Sequence, residues 1–134
     1  MALKLSLKPG EKVVVNGAVL QNDDRRTSIV VQNHASILRE KDIMLPEQAA
    51  TPARRIYFAI MMLYLQEGDS ERYREEFVQR MSEFINVLST PEAITTCFSI
   101  VEHVHMGAFY KALSQCRSLF PFEEERLSHV PSAA

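Results

Sequence analysis

Cys97 and Cys116 are the only cysteines in this chain, and both stand among apolar, helix-forming residues. A disulfide framework pins loops, so this placement predicts two reduced, packed thiols. Neither C-x-x-C nor H-E-x-x-H occurs, which removes the usual spacing of a zinc or haem site, and no metal or cofactor is expected. A Walker loop, a G-x-G-x-x-G after a strand and a G-x-S-x-G elbow are missing as well. Nothing singles out a nucleophile, so no catalytic residue is assigned and the chain is not expected to be an enzyme. His103 and His105 flank no supporting motif, and positions two apart on a helix point in different directions.

Long hydrophobic runs are also lacking. The longest, from Ile56 to Leu65, falls well short of the roughly 20 residues that span a bilayer, so no membrane association is expected. Lysines interrupt the N-terminal segment MALKLSLKPG, which therefore has no continuous apolar region of the kind a secretory signal needs. The expectation is a cytoplasmic protein. No Gly/Ser-rich linker or internal repeat divides the 134 residues, and the length suits one domain with its own core.

Short apolar runs punctuated by turn residues fill the first third: LKLSL, Pro9-Gly10, KVVV, Asn16-Gly17, AVLQ. Asn-Gly between such runs is a strong hairpin signal, because both residues tolerate the positive φ of a type I′ turn. A hairpin over Lys12 to Gln21 is predicted. The segment at 22–26 and Asn33-His34 add turns before TSIVVQ and ASIL, giving four or five strands in one compact antiparallel sheet ending near Met44.

From Pro46 the apolar period lengthens to three or four, and helix starts follow in order: Thr51-Pro52, Asp69 and Thr90-Pro91. Three helices are predicted. The first runs from Pro52 to Gln66 with Ile56, Ala59, Ile60 and Leu63 on its buried stripe and Gly68 as terminator. A second spans Ser70 to Leu88 on Tyr73, Phe77, Met81, Phe84, Ile85 and Leu88. The third runs from Pro91 toward Arg117 on Ile94, Phe98, Val101, His105, Phe109 and Leu113, with Gly107 marking a kink. After Pro121 a charged, frayed tail is expected. The fold class is thus α+β: one domain with a β region at 1–45, a helical region at 46–120 and a tail at 121–134. Tyr57, Phe58, Met61, Met62 and Tyr64 exceed what one narrow stripe buries, and this surplus predicts a homo-oligomer.

Charge divides unevenly. Residues 1–45 carry seven Lys or Arg against five Asp or Glu, and the remainder eight against twelve, so a net of −2 conceals a mildly basic β region. Lys4, Lys8, Arg25, Arg26, Arg39 and Lys41 are the candidate phosphate-contacting residues, with Lys12 on the same segment. Arg25 and Arg26 sit in a polar turn, while Arg39 and Lys41 follow a strand at the period-two spacing that sends both to one face. These four are the expected patch. Edge-strand charges that discourage aggregation are the alternative reading.

Several separated segments then carry a resemblance: LKLSLKPGEKVVVNGAVLQND at Leu3 to Asp23, ILREKDIM at Ile37 to Met44, TPARRIYFAIMMLY at Thr51 to Tyr64, and YKALSQCRSLFPFE at Tyr110 to Glu123. In this order they resemble the flagellar biosynthesis repressor FlbT family, over nearly the whole chain. The resemblance implies a bacterial cytoplasmic regulator that associates with the 5′ untranslated region of flagellin messenger RNA and promotes its degradation without nuclease chemistry of its own. LSLKPGEKVVVNG and LREKD are also similar, more locally, to CsrA-type RNA-binding regulators. In those an N-terminal strand and a basic residue late in the small domain grip single-stranded RNA across a dimer; Lys8 and Arg39 fall at matching positions, and Leu7 stands where that family has a second arginine. The N-terminal third has no Phe, Tyr or Trp on which a base could stack, so binding there would rest on phosphates, backbone groups and Arg side chains. The rival expectation is an adaptor or chaperone for a flagellar protein, acting through the apolar helix surface.

Overall fold

In this computed structural model residues 2–129 are described, and the chain divides into two compact units, Met1–Ile43 and Met44–Ala134. The first unit holds five strands: β1 (Leu3–Leu7), β2 (Lys12–Val15), β3 (Ala18–Gln21), β4 (Thr27–Val31) and β5 (Ile37–Arg39). The predicted hairpin forms as β2 and β3, closed by Asn16 at φ 49° and Gly17 at φ 83°, the left-handed pair that a type I′ turn demands. The strands do not make one sheet, however. β1 pairs only with β4, in the register Leu5 to Ile29, while β2 lies between β3 and β5, with Val14 opposite Val19 and Leu38. Alternation sends Leu5 and Leu7 to one face of β1, where they cluster with Val13, and Val15, Ile29, Val31 and Ile37 pack around them.

The second unit is helical: α1 (Pro52–Leu65), α2 (Ser70–Val87), α3 (Pro91–His105), α4 (Phe109–Arg117) and α5 (Leu119–His129). Local chemistry sets the starts. Thr51 Oγ1 accepts the Arg54 amide with Pro52 following, and an Asp69 carboxylate oxygen accepts the amides of Glu71 and Arg72. Thr90 makes no such side-chain bond, so Pro91 alone marks that start. Gln66, at φ 58°, and not Gly68, provides the left-handed residue that ends α1. α1 is the central helix, packed on α2, α4 and α5, and it buries Ile56, Tyr57, Ile60, Met61 and Leu63.

Three expectations are corrected here. The predicted third helix is two, because the chain turns at Met106 and Gly107, where Gly107 takes φ 79°; α4 and α5 then abut at Ser118, which itself stays in the right-handed helical region. The expected frayed tail is largely α5: Pro121 falls in its first turn, where no amide donor is needed, and Glu123 is buried with Oε2 2.8 Å from the Ala53 amide at the start of α1. Residues 130–134 of that tail lie outside the described residues. Finally, α3 is rotated from the predicted stripe. It buries Ala93, Cys97, Ile100 and Val104, and leaves Phe98 60% exposed and Val101 and His105 on the surface. Small Ala93 and Cys97 let α3 approach α4, whose own buried face is Ala112, Leu113 and Cys116.

The aromatic surplus of α1 finds partners within the unit. Tyr57 meets Phe120 at 5.5 Å between ring centroids, Phe58 meets Tyr73 at 6.3 Å, and Tyr64 meets Tyr110 at 5.6 Å. The surplus therefore no longer argues for an oligomer.

Candidate phosphate-binding cleft

The turn joining β1 to β2 and the loop joining β3 to β4 are tied together by backbone bonds and by the Asn22 side chain. Asn22 Nδ2 lies 2.9 Å from the Lys8 carbonyl, 2.8 Å from that of Arg25 and 3.2 Å from that of Leu7, while its own amide donates to the Glu11 carbonyl at 2.8 Å. Gly10, at φ 73°, donates to the Asp23 carbonyl at 2.9 Å and completes the join. Lys8 and Arg26 are thereby carried to the same region, although 18 positions separate them in the chain.

That region is an open cleft of about 620 Å³ lined by Ser6, Lys8, Pro9, Gly10, Glu11, Arg26, Arg39, Glu40 and Lys41. Four of the six sequence-predicted cations line it: Lys8, Arg26, Arg39 and Lys41. Lys4 stands on β1 opposite Val30, and Arg25 lies in the exposed loop; neither lines the cleft. Arg39 and Lys41 do share it, but not by strand alternation. β5 stops at Arg39, and Lys41 belongs to a 3-10 turn over Glu40–Asp42, so the chain has left the strand before Lys41 is placed.

Two carboxylates share the cleft, and both are already engaged. Glu11 Oε1 accepts the Lys8 amide at 2.9 Å and its Oε2 pairs with Arg39 Nη2 at 3.1 Å, while Arg39 Nη2 also donates to the Ser6 carbonyl. The Lys8 amide first, and the Arg39 guanidinium second, hold the Glu11 carboxyl below its usual 4.5. Glu40 Oε1 accepts the Lys12 amide at 3.2 Å. Four cations against two carboxylates leave a positive cleft of modest strength, suited to phosphate groups. Sequence reasoning missed Glu11, Asn22 and Glu40. For Glu11 the available signal was its place directly after Pro9-Gly10, where a side chain folds back onto the turn amide.

Outside the cleft, His103 has a structural partner. His103 Nδ1 lies 2.7 Å from Gln115 Oε1, and Gln115 Nε2 donates to Ser99 Oγ at 2.8 Å, bridging α3 and α4, while His105 is exposed. Burial pushes the Cys97 thiol up to about 11 and raises Cys116 further. Among the described residues no group of three or more His, Cys, Asp or Glu is placed to hold a metal ion, and no helix is long and apolar enough to cross a membrane.

Residues 3–127 match the family model described as flagellar protein FlbT. The flagellum biosynthesis repressor protein FlbT of Caulobacter vibrioides (strain ATCC 19089) is 55% identical over 132 residues, covering 98% of this chain and 94% of that protein. A probable flagellum biosynthesis repressor protein FlbT of Caulobacter sp. (strain K31) is 56% identical over 97% of this chain and 99% of its own length. One from Rhodopseudomonas palustris (strain TIE-1) is 39% identical over 96% of this chain and 99% of its own. No solved structure matches. With the family model spanning both the β unit and the helices, the chain belongs to the FlbT family of flagellar proteins.

Proposed function

We propose that this protein is a post-transcriptional regulator of flagellum biogenesis that binds the 5′ untranslated region of flagellin messenger RNA and promotes its degradation, with no catalytic step of its own. Its relatives are named flagellum biosynthesis repressors, which supports regulation of flagellum synthesis as its role and gives no support to an enzyme. The observation that carries RNA as the ligand is the gathering of Lys8, Arg26, Arg39 and Lys41, from three separate stretches of chain, around one cleft. Such a cleft contacts phosphates and leaves sequence to be read by backbone groups and Arg side chains. Binding of the flagellin leader RNA by nucleic-acid-free protein, with affinity falling steeply as salt rises, is the expected result. Affinity that is absent, or indifferent to salt, would refute it.

A second reading, an adaptor for another flagellar protein, is favoured by a specific surface. Phe98, Val101, Met106 and Tyr110 are exposed on α3, the turn after it and α4, and Phe98 and Met106 show 60% and 71% of their surface to solvent. Where such exposed side chains adjoin, the apolar patch they make is a contact surface. In this reading the patch takes a partner chain or a second copy, and RNA effects are indirect. Phe98→Ser would then abolish regulation in cells while leaving leader-RNA affinity unchanged.

A further inference from the structure

Glu11 is an odd presence in a cleft that receives phosphates. Its carboxylate is 16% exposed at the side chain, lies 3.1 Å from Arg39 Nη2, and is held there by the Lys8 amide at 2.9 Å and by the turn in which the Glu11 amide donates back to the Lys8 carbonyl at 3.0 Å. Arg39, the partner, keeps a third of its side chain exposed and lines the cleft. Nη2 of Arg39 serves both Glu11 Oε2 and the Ser6 carbonyl, and a phosphate that takes the guanidinium end-on needs Nη2 as one of its two donors. Arg39 is therefore already occupied by an anion belonging to the protein.

Resting on the RNA reading above, we propose that Glu11 is the affinity-setting residue of the cleft: an internal competitor that an RNA phosphate must displace from Arg39 on binding. The other carboxylate does not share this role, since among the described residues Glu40 bonds to the Lys12 backbone amide and pairs with no cation. Displacement leaves Glu11 its Lys8 amide, so the carboxylate retains a partner when Arg39 turns to the phosphate. Competition of this kind weakens contact with any anion equally. A ligand that also engages Lys8, Arg26 and Lys41 still binds after that loss, whereas a single phosphate at Arg39 has no other contact to offset it.

The test is a double-mutant cycle on the full chain, with the flagellin leader RNA and polyuridine of equal length as probes, each measured across a salt series. Glu11→Gln keeps an acceptor for the Lys8 amide while removing the charge. It is expected to tighten leader-RNA binding roughly two- to fivefold, the range a surface ion pair is worth, without adding a phosphate contact, since Arg39 meets the phosphate in both proteins. In an Arg39→Ala background the same change should have no such effect, and Glu40→Gln should gain less than Glu11→Gln. Circular dichroism melts establish folding; should Glu11→Gln fail to fold, Glu11→Ala replaces it in the same cycle. Unchanged or weaker binding by folded Glu11→Gln, while the wild type binds with salt dependence, overturns the competitor role and makes Glu11 a positioning residue for Arg39. Absence of salt-dependent binding in every variant removes the RNA reading itself, and this inference with it.

Discussion

The Asn22 side-chain amide reaches the carbonyls of Leu7, Lys8 and Arg25 and so reinforces the backbone bonds that join two turns. Losing it strips those carbonyls of a donor, and Asn22→Ala is expected to lower stability by about 1–3 kcal/mol, read as a shift in the urea midpoint. Glu11 carries the matching pH signature. Because its carboxyl is held below 4.5 in the folded chain, its contribution is present above that value and is lost as pH falls through the lower folded one. The acid limb of a stability-against-pH curve should therefore be shallower for Glu11→Gln than for the wild type; coincident limbs would show that the Arg39 pair does nothing for the fold. Neither residue was conspicuous in the sequence, where only the cations were. An asparagine in a turn is ordinary, and the three carbonyls it serves are 3 to 15 positions away.

At the scale of elements, α3 shows where periodicity stops being informative. Two apolar stripes run along it, Ala93, Cys97, Ile100 and Val104 on one side and Ile94, Phe98 and Val101 about one residue round, and a count of spacings favours the bulkier set. Packing chose the smaller set, because close approach to α4 favours Ala and Cys at the contact. The consequence is measurable. Ile100→Ala should cost about 2–5 kcal/mol as a core truncation, whereas Phe98→Ala should cost no more than about 0.5 kcal/mol; equal costs would place α3 in the other rotation. α5 was hidden for a different reason. Its acidic run looks like a solvated tail, yet Glu123 is drawn inward by the free amide of Ala53, a partner 70 positions away. Glu123→Ala should accordingly destabilise the helical unit by about 1–3 kcal/mol, visible as a lowered thermal midpoint. The β2–β3 hairpin and the starts of α1 and α2, by contrast, depend on neighbours within a few positions, and these were legible at once.

Over the whole molecule, the charge asymmetry read from the sequence becomes a cleft only through folding. Lys8 and Arg26 meet because two turns are bonded together, and Arg39 and Lys41 arrive from the end of β5 and the 3-10 turn after it. Composition separated a basic third from an acidic remainder; it did not separate Lys4 and Arg25, outside the cleft, from the four cations that line it. That distinction supplies the most direct test of RNA binding. Lys8, Arg26 and Lys41 are replaced together by Ala, sparing Arg39 because its bonds to Ser6 and Glu11 help hold the turn, and Lys4 and Arg25 are replaced in a control. Affinity for the flagellin leader RNA is then measured across a salt series on both folded variants. The cleft variant should bind more weakly with a salt slope flatter by about two units, three phosphate contacts at roughly 0.7 each, while the control stays close to the wild type. Equal losses in the two variants, or none in either, would contradict the cleft as the site of RNA contact.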